Sequence, residues 1–79
     1  MYTDAGLVLL CRKIRFLRMQ NKLSQQEMAK RLGVSVASLR KIEQNHFPDG
    51  VRCSVFRNLN REFNIKFADM FTDADFALE

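Results

Sequence analysis

The sequence predicts one small, all-helical domain. Apolar residues recur at the three- and four-residue intervals of amphipathic helices in successive segments of the 79-residue chain. No segment alternates apolar and polar residues as a strand does, and only three Gly and one Pro interrupt the helical pattern. A chain of this length buries one modest core, so we expect a single domain over residues 1–79, ordered at about 7–71.

The first predicted helix runs from about Leu7 to Gln20. Leu9 and Phe16 fall on the side opposite its apolar face, so we expect them to be exposed. Asn21 ends the pattern. The residues of the apolar face are Leu7, Leu10, Cys11, Ile14 and Leu17.

Two further helices begin with the same capping signal. Ser24 and Glu27 have the spacing of a capping box, and Gly33 is the residue type that ends a helix in a left-handed conformation. Ser35 caps the next helix, which stops near Asn45, a residue that tolerates positive φ. The sequence therefore predicts two short helices in close succession.

The C-terminal part predicts two more helices. After a loop at 46–50, the fourth is expected at about 51–63 and is closed by Asn64. A short fifth helix is expected at about 66–71, and the acidic tail at 72–79 is expected to fray. The apolar residues that the fifth helix would add to the core are Phe67, Met70 and Phe71.

Charge is distributed unevenly along the chain. Nine Lys and Arg residues but only one acidic residue, Glu27, lie between Arg12 and Lys41, whereas five acidic residues and one Lys follow from Glu62 onward. This asymmetry favours a polyanionic partner for the first half of the chain. A solvated basic surface without a partner is the alternative.

The segment from Gln25 to Gln44 carries the most specific pattern. Two capped helices joined by a turn of three or four residues make a helix-turn-helix. Ala29 lets the two helices cross closely, and Gly33 supplies the backbone of the turn. The residues that form the apolar wedge between these helices are Met28, Leu32, Val34, Leu39 and Ile42.

The strings LSQQEMAKRLGVS at 23–35 and LRKIE at 39–43 resemble the Cro and phage-repressor type of helix-turn-helix domain, also called XRE-like. The resemblance covers about residues 10–71. It implies a compact five-helix, lambda-repressor-like bundle that binds double-stranded DNA sequence-specifically as a transcriptional regulator, in the role of a repressor. Its third helix, at about 36–44, would enter the major groove.

The resemblance also implies contacts with the DNA backbone. The family counterpart of Gln25 typically binds a phosphate, and a helix N-terminus attracts phosphate as well. Ser38 and Asn45 are further candidates for backbone contacts. Asn45 stands where the family often has Gly. For each of these residues, the alternative is an ordinary role on the helix surface or as a cap.

Base contacts are expected from the outward face of the third helix. Arg40 and Lys41 can each reach guanine O6 and N7 or a phosphate, and Gln44 shares their face. Val36 and Ala37 stand where the family often carries Gln or Arg, and they could pack on a thymine methyl group. These departures mean that no base preference can be transferred, and a plain helix surface is the alternative.

In the family that the chain resembles, an Arg–Glu pair at the positions of Arg18 and Glu43 ties the first and third helices together. We expect the pair to be structural and not catalytic. Breaking one partner of such a pair costs more than the intact pair contributes.

Other classes of function find little support in the sequence. His46 is the single histidine, no Gly-rich phosphate loop is present, and no residues have metal-ligand spacing, so we expect no enzyme, cofactor, metal or small-molecule substrate. The apolar run at 6–11 is too short to span a membrane and lacks the features of a secretory signal. We therefore expect a cytoplasmic protein with free, largely buried thiols at Cys11 and Cys53.

We expect a homodimer on a two-fold symmetric site, because one recognition helix reads only about half a site. The alternative function is that of an antitoxin-like or recruitment module whose main partner is another protein. Leu9, Phe16 and Phe76 would suit that protein partner. The dimer contact is expected on apolar residues away from the third helix, although Phe67 and Phe71 are more easily explained as core. The candidate residues are Phe67, Met70, Phe71, Phe76, Leu9 and Phe16.

Overall fold

The computed structural model of the chain describes residues 5–70, which contain four α-helices, two 3-10 turns and no strand. This architecture confirms the predicted all-helical class. The 3-10 turns lie at Asp49–Val51 and Phe67–Asp69. The helices are α1 (Ala5–Gln20), α2 (Gln25–Leu32), α3 (Val36–Glu43) and α4 (Arg52–Phe63).

The predicted fifth helix is, within the described residues, a single 3-10 turn. The amide of Asp69 donates to the carbonyl of Lys66, and the amide of Met70 donates to that of Phe67, which are the short-range bonds of a 3-10 turn. Lys66 itself has extended backbone, so no α-helical turn begins there. Residues 71–79, including Phe71, Phe76 and the predicted acidic tail, lie outside the described part of the chain.

The predicted residues cap the N-termini of α2 and α3. Ser24 Oγ accepts from the amide of Glu27 at 3.1 Å, while the amide of Ser24 donates to the Glu27 carboxylate at 2.9 Å. These bonds hold the pKa of the Glu27 carboxyl below its ordinary value. Ser35 Oγ accepts from the amide of Ser38 at 3.0 Å. Both caps satisfy amides that a helix leaves without an internal partner.

Residues with left-handed backbone end three of the helical segments. Gly33 has φ of 72° after α2, and Asn64 has φ of 55° after α4. Asn45, one residue beyond the cap of α3, has φ of 66°. These positions agree with the predicted ends. Lys22 also has positive φ, 55°, which its residue type does not indicate.

The helices enclose one apolar core. Helix α3 packs against both α1 and α2, and α4 packs against α2. Phe47, in the loop before α4, is buried although no helical periodicity marks it. The buried apolar residues are Leu7, Leu10, Cys11, Ile14, Met28, Ala29, Leu32, Leu39, Ile42, Phe47, Val55, Leu59, Ile65 and Met70.

Lys13 is the buried charged residue of the described part of the chain. Its side chain has no exposed surface, and its Nζ donates to the backbone carbonyl of Asp69. A buried ammonium needs such partners, because losing its hydration is costly. The bond ties α1 to the second 3-10 turn, whereas the sequence predicts Lys13 only as part of the basic first half.

Burial corrects four of the predictions. Cys53 is exposed, because it lies on the outer side of the first turn of α4, whereas Cys11 is buried as predicted. Burial raises the pKa of the Cys11 thiol to about 11. Phe67 is 60% exposed and not core. Leu9 and Phe16 are partly buried and not exposed.

Helix α4 closes the C-terminal end of α2. Asn58 Nδ2 donates to the carbonyl of Leu32 at 2.9 Å, and the Ser54 hydroxyl donates to the same oxygen at 2.9 Å. An added Cβ on Gly33 would lie only 2.8 Å from Ser54 Oγ and 3.0 Å from Asn58 Nδ2. The turn between α2 and α3 therefore requires glycine both for its backbone angle and for its space.

We predict that Gly33→Ala lowers the free energy of unfolding by about 1–2 kcal/mol from left-handed strain alone, and by more because Ser54 and Asn58 must move. Chemical denaturation gives the value. Gly50→Ala is the matched control, since an added Cβ there meets nothing within 4 Å. Equal effects of the two substitutions would contradict the role of Gly33.

Candidate nucleic-acid interface

One side of α3 faces away from the core. Leu39 and Ile42 are fully buried against the other helices. Successive residues of an α-helix are about 100° apart around its axis. The side chains on the side of α3 opposite Leu39 and Ile42 therefore share an outward surface. The exposed residues of this surface are Ala37, Arg40, Lys41 and Gln44. We call them the α3 face.

Val36 and Ser38 lie at the margins of the α3 face. Val36 is partly buried and packs against the core, so the side chain predicted to point outward is in part a core residue. Ser38 is partly buried, and its hydroxyl accepts from Ser35 Oγ at 3.0 Å. Asn45 is exposed just beyond α3, and its left-handed backbone turns the chain there.

Arg18 and Glu43 form the predicted ion pair. Arg18 Nε donates to Glu43 Oε2 at 2.5 Å, and Nη2 donates to Oε1 at 3.1 Å. The remaining Arg18 Nη1 donates to the carbonyl of Leu23 at 3.1 Å. Glu43 is almost fully buried, with 7% of its side chain exposed. The bidentate pair joins α1 to the end of α3 and to the segment that precedes α2.

Gln25 extends this pair to the first turn of α2. Its Nε2 donates to Glu43 Oε1 at 3.1 Å. A side-chain amide nitrogen carries two hydrogens, so one donor of Gln25 remains after this bond. The contact orients the amide and leaves it able to meet an anion. We call Arg18, Glu43 and Gln25 the three-helix network.

An open cleft of about 440 Å³ lies beside the three-helix network. Its walls come from α1, from the first turn of α2 and from the C-terminal end of α3. The residues that line it are Arg15, Arg18, Gln25, Arg40, Glu43 and Gln44. Its three guanidinium groups outnumber its one carboxylate, so the cleft is electropositive.

Arg15 belongs to this site, although little in the sequence distinguishes it from the other basic residues of the first half of the chain. It is exposed, and within residues 5–70 neither Arg15 nor Arg40 makes a hydrogen bond or an ion pair. The only sequence signal is its spacing, because Arg15 precedes Arg18 by three positions and thus by about one helical turn. The sequence does not show that this turn of α1 faces α3.

Within the described residues, His, Cys, Asp and Glu nowhere form a group of three or more that could hold a metal ion. Every helix of residues 5–70 is too short or too polar to cross a bilayer.

We predict that Arg18→Ala destabilises the domain by about 2–4 kcal/mol, because it leaves the Glu43 carboxylate nearly buried without its counter-ion. Thermal melts of Arg18→Ala, Glu43→Ala and the double variant measure the coupling between the two residues. The double variant should lose less stability than the two single losses added together. Additive losses would show that the pair is not coupled.

The comparisons with known proteins agree with this geometry. Residues 14–50 match a family model described as Helix-turn-helix, and the match includes all of α2 and α3. No curated protein and no solved structure matches the chain. The matching family consists of DNA-binding regulatory domains and is not an enzyme family. The match supports a helix-turn-helix domain of the Cro and phage-repressor (XRE-like) type at residues 14–50, a type of domain that binds double-stranded DNA in transcription regulation.

Proposed function

We propose that this domain recognises a specific sequence in double-stranded DNA by placing α3 in the major groove. The observation that carries the proposal is the α3 face, which is exposed while the buried side anchors the helix to α1 and α2. The major groove of B-DNA admits one α-helix, and every base pair presents a distinct pattern there. The cap of α3 and its packing against α1 and α2 keep this helix at the surface, which supports such insertion.

The α3 face supplies chemistry for reading bases. Lys41 can donate to guanine O6 and N7, and the Gln44 amide can form two hydrogen bonds with adenine. Ala37 offers an apolar contact for a thymine methyl group. Val36 is partly occupied by core packing, which leaves Ala37 as the apolar reader.

Contacts with the DNA backbone would fix the register of α3. Gln25 lies at the N-terminus of α2, where amides without helical partners attract phosphate, and one of its side-chain donors remains for an anion. Ser38 and Asn45 flank the α3 face and extend this contact. A domain bound in this way excludes other proteins from the same stretch of DNA, and we propose repression as its regulatory role.

We propose further that the domain acts as a homodimer on a two-fold symmetric site, since a single α3 reads only about half a site. Phe67 is the best placed of the predicted contact residues. Its exposed ring packs in a T-shaped arrangement against Phe56, with 5.6 Å between the ring centroids. Phe56 in turn packs against Phe47, with 6.1 Å between the ring centroids. Met70 is buried in the domain's own core and cannot form the contact.

We predict that duplex affinity falls steeply with salt, with a slope of log K against log salt of about −0.9 for each phosphate neutralised. Fluorescence anisotropy with duplexes selected from a randomised library measures this slope. The same DNA as a single strand is the control. A flat response, or no binding at low salt, would contradict DNA binding and favour a protein partner.

We predict that Phe67→Ser weakens self-association, because it removes an exposed apolar ring, whereas Met19→Ser does not. Met19 is the matched control, since it is 59% exposed and lies on α1. Light scattering of the free and DNA-bound domain reports the mass. A strict monomer that binds one half-site without cooperativity would overturn the proposed dimer.

A further inference from the structure

The open cleft beside the three-helix network contains two cations that the fold itself does not use. Arg15 comes from α1 and Arg40 from the last turn of α3, and both are exposed without a partner in the described residues. Two guanidinium groups on one cleft repel each other unless an anion lies between them. The cleft therefore has the charge of an anion site.

The acidic residue of the cleft cannot serve as that anion. Both oxygens of the Glu43 carboxylate already accept hydrogen bonds, Oε2 from Arg18 and Oε1 from Arg18 and Gln25. The carboxylate is nearly buried, and its charge is balanced by Arg18. The positive charge of Arg15 and Arg40 remains available to a partner outside the domain.

We propose that Arg15 and Arg40 bind the same stretch of one or two phosphates on one DNA strand, so that Arg40 contacts the backbone and not a base. This inference rests on the proposed DNA binding. A planar guanidinium matches a phosphate with two parallel hydrogen bonds. The second amide hydrogen of Gln25, on the same cleft, can donate to this phosphate as well.

The direction of Arg40 separates it from its neighbour Lys41. The two side chains leave α3 about 100° apart. Arg40 lines the cleft together with Glu43 and Gln44, whereas Lys41 does not. The cleft lies at the edge of the α3 face that adjoins α1 and α2. Arg40 is thus directed toward the flank of the groove, Gln44 lies where the cleft meets the α3 face, and base reading falls chiefly to Ala37 and Lys41.

The test compares single substitutions on a selected duplex and on a randomised duplex library. Arg15→Ala and Arg40→Ala should each lower affinity for all sequences by the same factor, on the order of tenfold, and reduce the salt slope by about one. Lys41→Ala should instead change the base preference at one or two positions. Arg57→Ala is the matched control, since it removes an exposed arginine from α4, which contributes nothing to the cleft.

A methylphosphonate scan of the selected duplex locates the shared contact. Neutralising one phosphate, or its neighbour, should abolish the effect of both Arg15→Ala and Arg40→Ala. The inference is overturned if Arg40→Ala changes base preference or if Arg15→Ala behaves like Arg57→Ala while the unaltered domain still binds duplex. Loss of salt-dependent binding in the unaltered domain would instead overturn the proposed function itself.

Discussion

The Arg18–Glu43 ion pair is the contact on which the arrangement of the binding surface depends. One guanidinium bridges the end of α3 and the segment before α2, and Gln25 attaches the first turn of α2 to the same carboxylate. Apolar packing alone holds helices together but specifies their relative rotation weakly. The bidentate pair, in which 19% of the Arg18 side chain and 7% of the Glu43 side chain are exposed, adds the directional constraint that packing lacks. This pair therefore fixes the position of one edge of the α3 face, the edge that adjoins α1 and α2.

The second constraint lies at the opposite end of α2. Gly33 allows α3 to begin after only three intervening residues, the last of which, Ser35, is its cap. Ser54 and Asn58 of α4 then bind the carbonyl of Leu32, so that the turn is supported from behind. Eight-residue helices are not stable by themselves, and their stability comes from such caps and from packing. The position of α3 is therefore a property of the whole domain and not of the two-helix motif.

Local features of the fold were predictable from the sequence, whereas contacts between distant segments were not. Ser24, Glu27 and Gly33 act within a few residues of their own positions, so spacing reveals them. The Arg18–Glu43 pair spans 25 positions and was anticipated only through the family resemblance. Lys13 and Arg15 are two positions apart on α1, yet one is buried and the other lines the cleft. Sequence periodicity places both as basic residues but does not show which surface each one meets.

This difference changes what the basic first half of the chain can contribute to DNA binding. Net charge counts every Lys and Arg equally, but DNA senses only those that reach its phosphates. Lys13 is held inside the domain and Arg18 is neutralised by Glu43. Arg15 and Arg40 converge on one cleft, and Lys41 lies apart from them on the α3 face. The structure therefore divides a uniform run of positive charge into an internal part, a candidate backbone clamp and a candidate base reader. Because only the last of these would distinguish bases, substitutions at Lys41 could alter sequence preference without disturbing the frame that positions α3.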